Sequence, residues 1–225
     1  MTSFASLEPS TVDQKNSTLD PVNCCASHPS VGSLFKRTVD VVGSLVGLLI
    51  LACVMVPIAI AIKLDSPGAV LYTQHRCGLR GQKFKIVKFR TMVQGADARS
   101  SSTDQPFRAK AGIDMRVTRV GQFLRKTSID ELPQCWNVLM GEMSLVGTRP
   151  PTLDEVANYS DHHWQRLNVK PGMTGEWQIS GRSAITSFEE IVSLDLRYQA
   201  VWSPLYDLIV IWKTVWVVLS GSGAC

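Results

Sequence analysis

Charge is scarce in this chain. Only 19% of its 225 residues are Asp, Glu, Lys or Arg, and 45% are hydrophobic, a balance that excludes a disordered, fibrous or coiled-coil protein. The six cysteines (Cys24, Cys25, Cys53, Cys77, Cys135, Cys225) contain no C-x-x-C spacing. Cys53 lies inside an apolar run, so neither a zinc site nor a disulfide framework is expected and a reducing compartment fits. His162 and His163 are adjacent and face different directions, which favours a surface position over a metal pair. Residues 1–34 lack sustained periodicity and are rich in Ser, Thr, Asp, Asn and Pro, the composition of a mobile polar tail. No internal repeat is visible, and the length suits one ordinary domain with an appended segment.

One stretch has no charge at all. From Val41 to Ile62 run 22 uncharged residues, of which 13 are Val, Ile or Leu. That is long enough for a membrane helix, and inserting these side chains gains about 4–8 kcal/mol. A buried core helix is the plain alternative. A cleaved signal peptide fits worse, because the run is too long and starts too late. Both flanks are basic, with Lys36 and Arg37 before the run and Lys63 after it, and cytoplasmic ends prefer such charges. Pro57 removes a backbone donor near the Cys53 carbonyl and predicts a kink. These features alone leave a re-entrant helix and a crossing helix evenly matched.

The charge that is present is sorted. Residues 63–126 hold 14 Lys or Arg against 4 Asp or Glu, whereas residues 127–225 hold 6 against 11. A basic half joined to an acidic half suggests cations and carboxylates converging on one anionic substrate. Residues 64–68 read as a turn, Ala69–Gln74 as a short strand and residues 77–81 as a second turn. Lys83–Arg90 (KFKIVKFR) alternates basic and apolar residues and reads as a strand with a wet cationic face; a lysine-guarded edge strand gives the same pattern. Residues 94–118 are polar and poorly patterned, as in a loop or short helices.

Gly121 to Leu139 reads as two helical pieces broken near Lys126-Thr127-Ser128. Ser128 followed by Glu131 suits a capping box, with Pro133 near a helix start. Asp130 and Glu131 then fall in a first turn, where acids also serve simply to complement the helix dipole. Ser203-Pro204 opens a last helix to about Leu219, too short to span a bilayer. Its tryptophans, with Trp202, suit either a headgroup-level belt or packing on the core.

The segment from Phe35 to about Thr214 resembles the monotopic polyprenol-phosphate phosphoglycosyl transferases, the bacterial sugar transferase family. The resemblance lies in blocks that keep the family's order. They are Phe35-Lys36-Arg37 with Asp40; Gln74-His75-Arg76 and Gly78-Leu79; Lys83-Phe84-Lys85 and Lys88-Phe89-Arg90-Thr91-Met92; and Ser128-Ile129-Asp130-Glu131-Leu132. The series continues with residues 141–150 (GEMSLVGTRP), residues 170–175 (KPGMTG), residues 178–182 (QISGR) and Leu194-Asp195-Leu196. Three places depart from the family's usual pattern. Proline stands at Pro57, one turn beyond the usual mid-helix break; Thr148 replaces a common proline; and Glu176 stands before Trp177 where an apolar residue is usual.

The resemblance implies an α/β fold, mainly helical with a small β element, carrying a re-entrant N-terminal membrane helix and interfacial amphipathic helices. It implies a polar tail over 1–34, the membrane helix over 35–63 and a catalytic domain over 64–220 lying on the cytoplasmic face of a bacterial inner membrane. The implied reaction moves a sugar-1-phosphate from a UDP-sugar to polyprenol phosphate and releases UMP. Asp130 is then the nucleophile, and Glu131 the ligand of Mg²⁺. Arg125, Arg149 and Arg182 are the phosphate clamps, and Asp195 stands near the nucleotide or metal. The bottom-up chemistry agrees: a diphosphate approaches a carboxylate only if cations neutralise it. Residues 147–152 with Asp154-Glu155 resemble exopolysaccharide-initiating members and suggest a plain hexose. Membrane lipid is an expected partner, nucleic acid is not, and a homo-oligomer stays open. A membrane-tethered binder of nucleic acid or anionic lipid, or an inactive assembly scaffold, are the rival readings; neither requires the Asp130-Glu131 pair.

Overall fold

A computed structural model describes residues 28–96, 116–181, 185 and 187–220. Most of the expected tail, the centre of the 94–118 stretch and Arg182 lie outside these residues. The described chain begins in contact with the body: the His28 ring nitrogen Nε2 lies 3.0 Å from the Gln199 carbonyl oxygen. A single helical turn, α1 (Pro29–Gly32), leads into α2 (Leu34–Asp65), a helix of 32 residues. At 1.5 Å per residue it is about 48 Å long. The helix continues through Pro57 as one element.

Only 11% of its most apolar 18-residue window is buried, so packing inside a soluble core does not account for its hydrophobicity. Its first half buries a narrow stripe, Lys36, Asp40, Ser44 and Gly47, spaced as one helical face, and near its end it buries Ile62. Gly43 and Gly47 are required on that stripe, since a Cβ at either would strike the Leu145 side chain or the Cys135 sulfur.

Both ends of α2 are tied to the same body. At the start, Lys36 Nζ lies 2.7 Å from Asp207 Oδ2 and donates to the Val146 carbonyl at 2.8 Å. One turn later Asp40 Oδ1 accepts from Ser144 Oγ at 2.9 Å and from the Leu145 N–H at 2.8 Å. At the far end the buried Arg90 guanidinium donates to the carbonyls of Ser66 (2.6 Å) and Pro67 (2.8 Å), closing the orphan helix terminus. Gly68, at φ +121°, leaves room for that guanidinium. Asp65 Oδ2 accepts the Val120 N–H at 2.9 Å.

Beyond α2, β1 (Leu71–Cys77) and β2 (Lys83–Phe89) form an antiparallel hairpin with Tyr72 opposite Lys88 and Arg76 opposite Phe84. β1 therefore begins and ends later than the expected Ala69–Gln74. Phe84, Ile86 and Phe89 of β2 are buried, so this is no wet edge strand throughout; Lys83 and Lys85 face solvent. Next come α3 (Arg119–Lys126), a 3-10 helix over Ile129–Gln134 and α4 (Cys135–Met140).

The expected capping box at Ser128 does not form. Ser128 sits at φ 54°, ψ 16°, and its side chain caps nothing. Its N–H is spent on the Arg125 carbonyl at 3.2 Å, and Lys88 engages the Glu131 carboxylate that a box would turn back. The left-handed turn reverses the chain instead.

Two three-residue strands, β3 (Ser144–Val146) and β4 (Gly172–Thr174), pair in parallel and lie behind the Gly147-Thr148-Arg149 turn. Gly147, Gly172 and Gly175 approach so closely there that a Cβ on any of them would meet main chain. α5 (Leu153–Ala157) carries a true capping box between Thr152 and Glu155. The chain then adds α6 (Asp161–Trp164), a 3-10 turn over Gln165–Asn168, α7 (Glu176–Ile179), α8 (Phe188–Val201) and α9 (Pro204–Ser220).

α9 packs one face on the body and leaves large apolar side chains outside. Val210 and Asp207 are buried, while Leu205, Trp212 and Trp216 are exposed. Tyr198 donates to Asp207 Oδ1 at 2.8 Å and Trp202 Nε1 to Oδ2 at 3.1 Å. Burial, then Asp207, push the Tyr198 hydroxyl up, so it remains a donor. Replacing Asp207 by Ala strands a buried ammonium, and we expect a loss of about 3–5 kcal/mol. Thermal unfolding in detergent checks this, and the double replacement Lys36→Met, Asp207→Leu should recover most of the loss.

Candidate active site

The Asp130-Glu131 pair stands at the start of the 3-10 segment, just past the Ser128 reversal. Asp130 is buried and Glu131 half-buried. The segment packs against β2 and α3, and each supplies a cation. From β2, Lys88 Nζ reaches Glu131 Oε1 at 2.7 Å. From the last turn of α3 comes Arg125, whose Nε donates to Thr91 Oγ1 at 3.0 Å. Gly121 allows α3 to approach that closely, since a Cβ there would strike the Thr91 carbonyl.

Sequence reasoning did not single out Lys88. The signal was parity: Lys88 is two residues beyond Ile86 and four beyond Phe84, the buried positions of β2, so it shares their inward face. Arg76 was missed for the same reason, two residues along from Gln74 on β1. It donates to Gln74 Oε1 at 2.7 Å and to the Pro150 carbonyl at 3.1 Å. Burial and then Arg149 lower its pKa, while Glu155, Tyr72 and Glu131 oppose the shift. A guanidinium stays charged under such pressure. Arg76 thus connects the neighbourhood of Glu131 with that of Arg149.

Arg149 is half-buried, with Nη1 3.3 Å from Glu155 Oε1 and its guanidinium 5.6 Å from the centre of the Trp177 ring. Thr148 is buried beside it and donates through Oγ1 to the Arg166 carbonyl at 3.1 Å. Glu176, the other departure, accepts from the Tyr206 hydroxyl. Burial and this hydrogen bond push Tyr206 up to about 12.

Asp195 lies behind Arg149. Its side chain is 1% exposed, with Oδ2 2.8 Å from Arg166 Nε and 2.7 Å from Nη2. Burial pushes its carboxyl up to about 6, opposed by Arg166 and by the Arg149 backbone N–H, which it accepts. Arg166 itself lies against the rings of Tyr159 and Phe188, at 5.7 and 5.5 Å. Asp195 thus reaches the site through the Arg149 main chain. The structure places Asp130, Glu131 and Arg125 on adjoining elements, while Arg149 stands on a separate turn that Arg76 meets at the Pro150 carbonyl.

A divalent cation fits one part of this arrangement. Among the described residues no group of three or more His, Cys, Asp or Glu side chains gathers, so no all-protein cage is built. Mg²⁺ characteristically takes one or two carboxylates and completes its shell with waters and substrate phosphates. Asp130 and Glu131 supply hard oxygens of that kind.

Comparison with known proteins matches the family model described as bacterial sugar transferase to residues 31–221. The galactosyl transferase CpsE of Streptococcus agalactiae serotype III (strain NEM316) is 45% identical over 196 residues, covering 84% of this chain and 43% of its own. The exopolysaccharide production protein ExoY of Rhizobium meliloti (strain 1021) is 38% identical over 203 residues, covering 86% and 89%. The UDP-glucose:undecaprenyl-phosphate glucose-1-phosphate transferase of Escherichia coli (strain K12) is 39% identical over 192 residues, covering 82% and 40%. The chain thus spans about two-fifths of the length of two of these relatives and nearly all of ExoY.

The geometry around Asp195 predicts a stability effect. Asp195→Ala leaves the Arg166 guanidinium buried without its counter-charge and should cost about 3–5 kcal/mol. Asp154→Ala, on the exposed face of α5, should change stability by less than about 0.5 kcal/mol. Parallel thermal melts compare the two; equal effects would mean that Asp195 behaves as a surface acid.

Proposed function

Because this chain belongs to the bacterial sugar transferase family, we propose that it transfers a hexose-1-phosphate from a UDP-sugar to undecaprenyl or a related polyprenol phosphate, releasing UMP. The observation that carries this reading is the buried Asp130 beside Glu131, with Lys88 at 2.7 Å from the latter and arginines on two flanking elements. The names of the relatives, which include glucose and galactose transferases, support a plain hexose. A role in starting an exopolysaccharide follows from the same comparison, ExoY included.

In the proposed reaction an Asp130 carboxylate oxygen attacks the phosphorus that bears the sugar. The bond from that phosphorus to the bridging oxygen breaks, and UMP leaves with the oxygen and the electron pair. A phosphate oxygen of the polyprenol then attacks the same phosphorus, the aspartyl oxygen–phosphorus bond breaks, and Asp130 returns as a carboxylate. Bound through Glu131 and the donor phosphates, Mg²⁺ would offset charge developing on the leaving phosphate. Arg125 and Arg149, and Arg182 by the family pattern, would hold the diphosphate in line. Lys88 orients the Glu131 carboxylate through their ion pair. Arg76 keeps positive charge between the two ends of the site.

The membrane reading places α2 in the cytoplasmic leaflet of the inner membrane, entering and leaving by one face. Support comes from attachment of both its ends to one body, through Lys36–Asp207 at the start and Asp65 and Arg90 at the finish. Attachment of both helix ends to one domain supports a helix that keeps both ends on the same face.

Three measurements test these statements. Incubated with UDP-glucose or UDP-galactose alone, the protein should gain the mass of one hexose phosphate, and Asp130→Asn should gain none. EDTA or Glu131→Gln should lower UMP release by at least about a hundredfold; full turnover without Asp130 refutes the nucleophile. Separately, in a chain stripped of its native cysteines, one cysteine placed near residue 30 should resist an impermeant periplasmic reagent in whole cells. Labelling there would mean a crossing helix.

A further inference from the structure

At the opposite end of α4 from the dyad, a cavity of about 190 Å³ opens at the start of α2, its wall including Ser33, Lys36, Arg37, Asp40 and Lys170. Two of these charges are already satisfied. Lys36 is paired with Asp207 at 2.7 Å, and Asp40 Oδ1 is occupied by Ser144 and Leu145. Arg37 is fixed without being neutralised, its two terminal nitrogens donating to the carbonyls of Val138 (2.8 Å) and Leu139 (2.7 Å). Among the described residues, no carboxylate lies within ion-pair distance of Lys170.

The heads of Arg37 and Lys170 converge over one residue. A Cβ at Gly141 would lie 3.6 Å from Lys170 Nζ and 3.7 Å from Arg37 Nη2. Burial, then Arg37, lower the Lys170 pKa. A half-buried ammonium set beside a second cation, with Asp40 the one acid opposing the shift, leaves a positive site that an anion would relieve.

The surroundings specify what kind of anion. Leu34 and Phe35, on the same turn as Lys36 and Arg37, are 85% and 50% exposed, and Trp136 and Met140 of α4 are exposed as well. Hydrocarbon belongs beside these residues, and phosphate between Arg37 and Lys170. We propose that this cavity seats the phosphate headgroup of an anionic phospholipid from the leaflet in which α2 lies. Basic pockets at the cytoplasmic end of membrane helices take such headgroups. The site is separate from the reaction. From Leu139, which Arg37 caps, back to Asp130 is about 15 Å along the helical run. The inference rests on the reading that α2 lies in a membrane.

The test uses the full-length protein in micelles containing equal phosphatidylglycerol and phosphatidylcholine, with bound lipid counted by native mass spectrometry. Wild type should retain phosphatidylglycerol in excess. Lys170→Ala should lower that excess about fivefold, Lys170→Arg should keep it, and Lys213→Ala, exposed on α9, should leave it unchanged. Matching circular dichroism spectra will show that the variants fold. Undiminished preference in Lys170→Ala overturns the proposal. So does full displacement of the lipid by inorganic phosphate, which would mark a free-anion site, or by polyprenol phosphate at lower concentration, which would mark an acceptor site. Flotation with phosphatidylcholine vesicles separates the premise: a wild-type protein that does not float refutes the membrane reading itself.

Discussion

The buried contact between Lys36 and Asp207 is the constraint on which the rest depends. An ammonium and a carboxylate, both almost wholly removed from water, carry a desolvation cost that only good geometry repays. Here Tyr198 and Trp202 satisfy the carboxylate, and the Val146 carbonyl takes a further ammonium proton. The result joins three distant parts of the chain: the start of the apolar helix, the strand β3 and the last helix. Asp40, one turn on, adds Ser144 and Leu145 to the same clasp. Two charged residues on a largely apolar helix therefore fix three consecutive residues of β3, and with them the entry to the Gly147-Thr148-Arg149 turn.

That turn is held from the other side by a second buried ion pair. Asp195 accepts the Arg149 backbone N–H while neutralising Arg166, and the Arg166 carbonyl receives the Thr148 hydroxyl. Gly147 and Gly172 let β3 and β4 close to main-chain contact beneath it. Fixing the backbone at Arg149 leaves only side-chain torsions to set the guanidinium, and Trp177 and Glu155 limit those. An arginine prepared in this way loses little entropy on meeting a diphosphate. The two buried pairs act on one loop from two faces, which gives charged residues far apart in sequence a place in the interior.

Where local pattern governs, the sequence was legible. The uncharged run over 41–62, the strand over 83–89, the break near Ser128 and the final helix from Pro204 all follow from periodicity, charge and proline placement. The site was legible in part, because its dyad and arginines lie in compact blocks. Long-range pairing was not. Nothing local says that Lys36 meets Asp207, or that Asp195 faces a buried arginine instead of water. The Ser128 box failed because the same Ser-x-x-Glu spacing serves a different end: a lysine from another strand competes for the glutamate. Such competition is invisible until the sheet register is known. Lys88 and Arg76 show the converse, since both occupy inward positions that strand parity identifies once Phe84 and Ile86 are known to be buried.

The electrostatics of the dyad follow from this arrangement. The sequence expectation credited a helix start with stabilising the carboxylates, but the segment is a short 3-10 turn, whose dipole contribution is small and confined to the first turn. The stronger field comes from discrete charges: Lys88 against Glu131, Arg125 on the adjoining helix, and Arg76 within reach of both Glu131 and Arg149. Side-chain cations differ from a helix dipole in one respect that matters for the proposed transfer. They belong to separate elements, β2, α3 and β1; Arg90 after β2 and Val120 of α3 are tied to the end of α2, and β1 is held by its pairing with β2. Through Arg90, the hydrogen bond from Val120 to Asp65 and the Lys36–Asp207 clasp, this helix also sets the spacing of the charges around Asp130 and Glu131. A phosphate carried by a lipid arrives at a depth set by the membrane. In the proposed transfer, cations registered to that helix would meet such a phosphate at the helix's own depth.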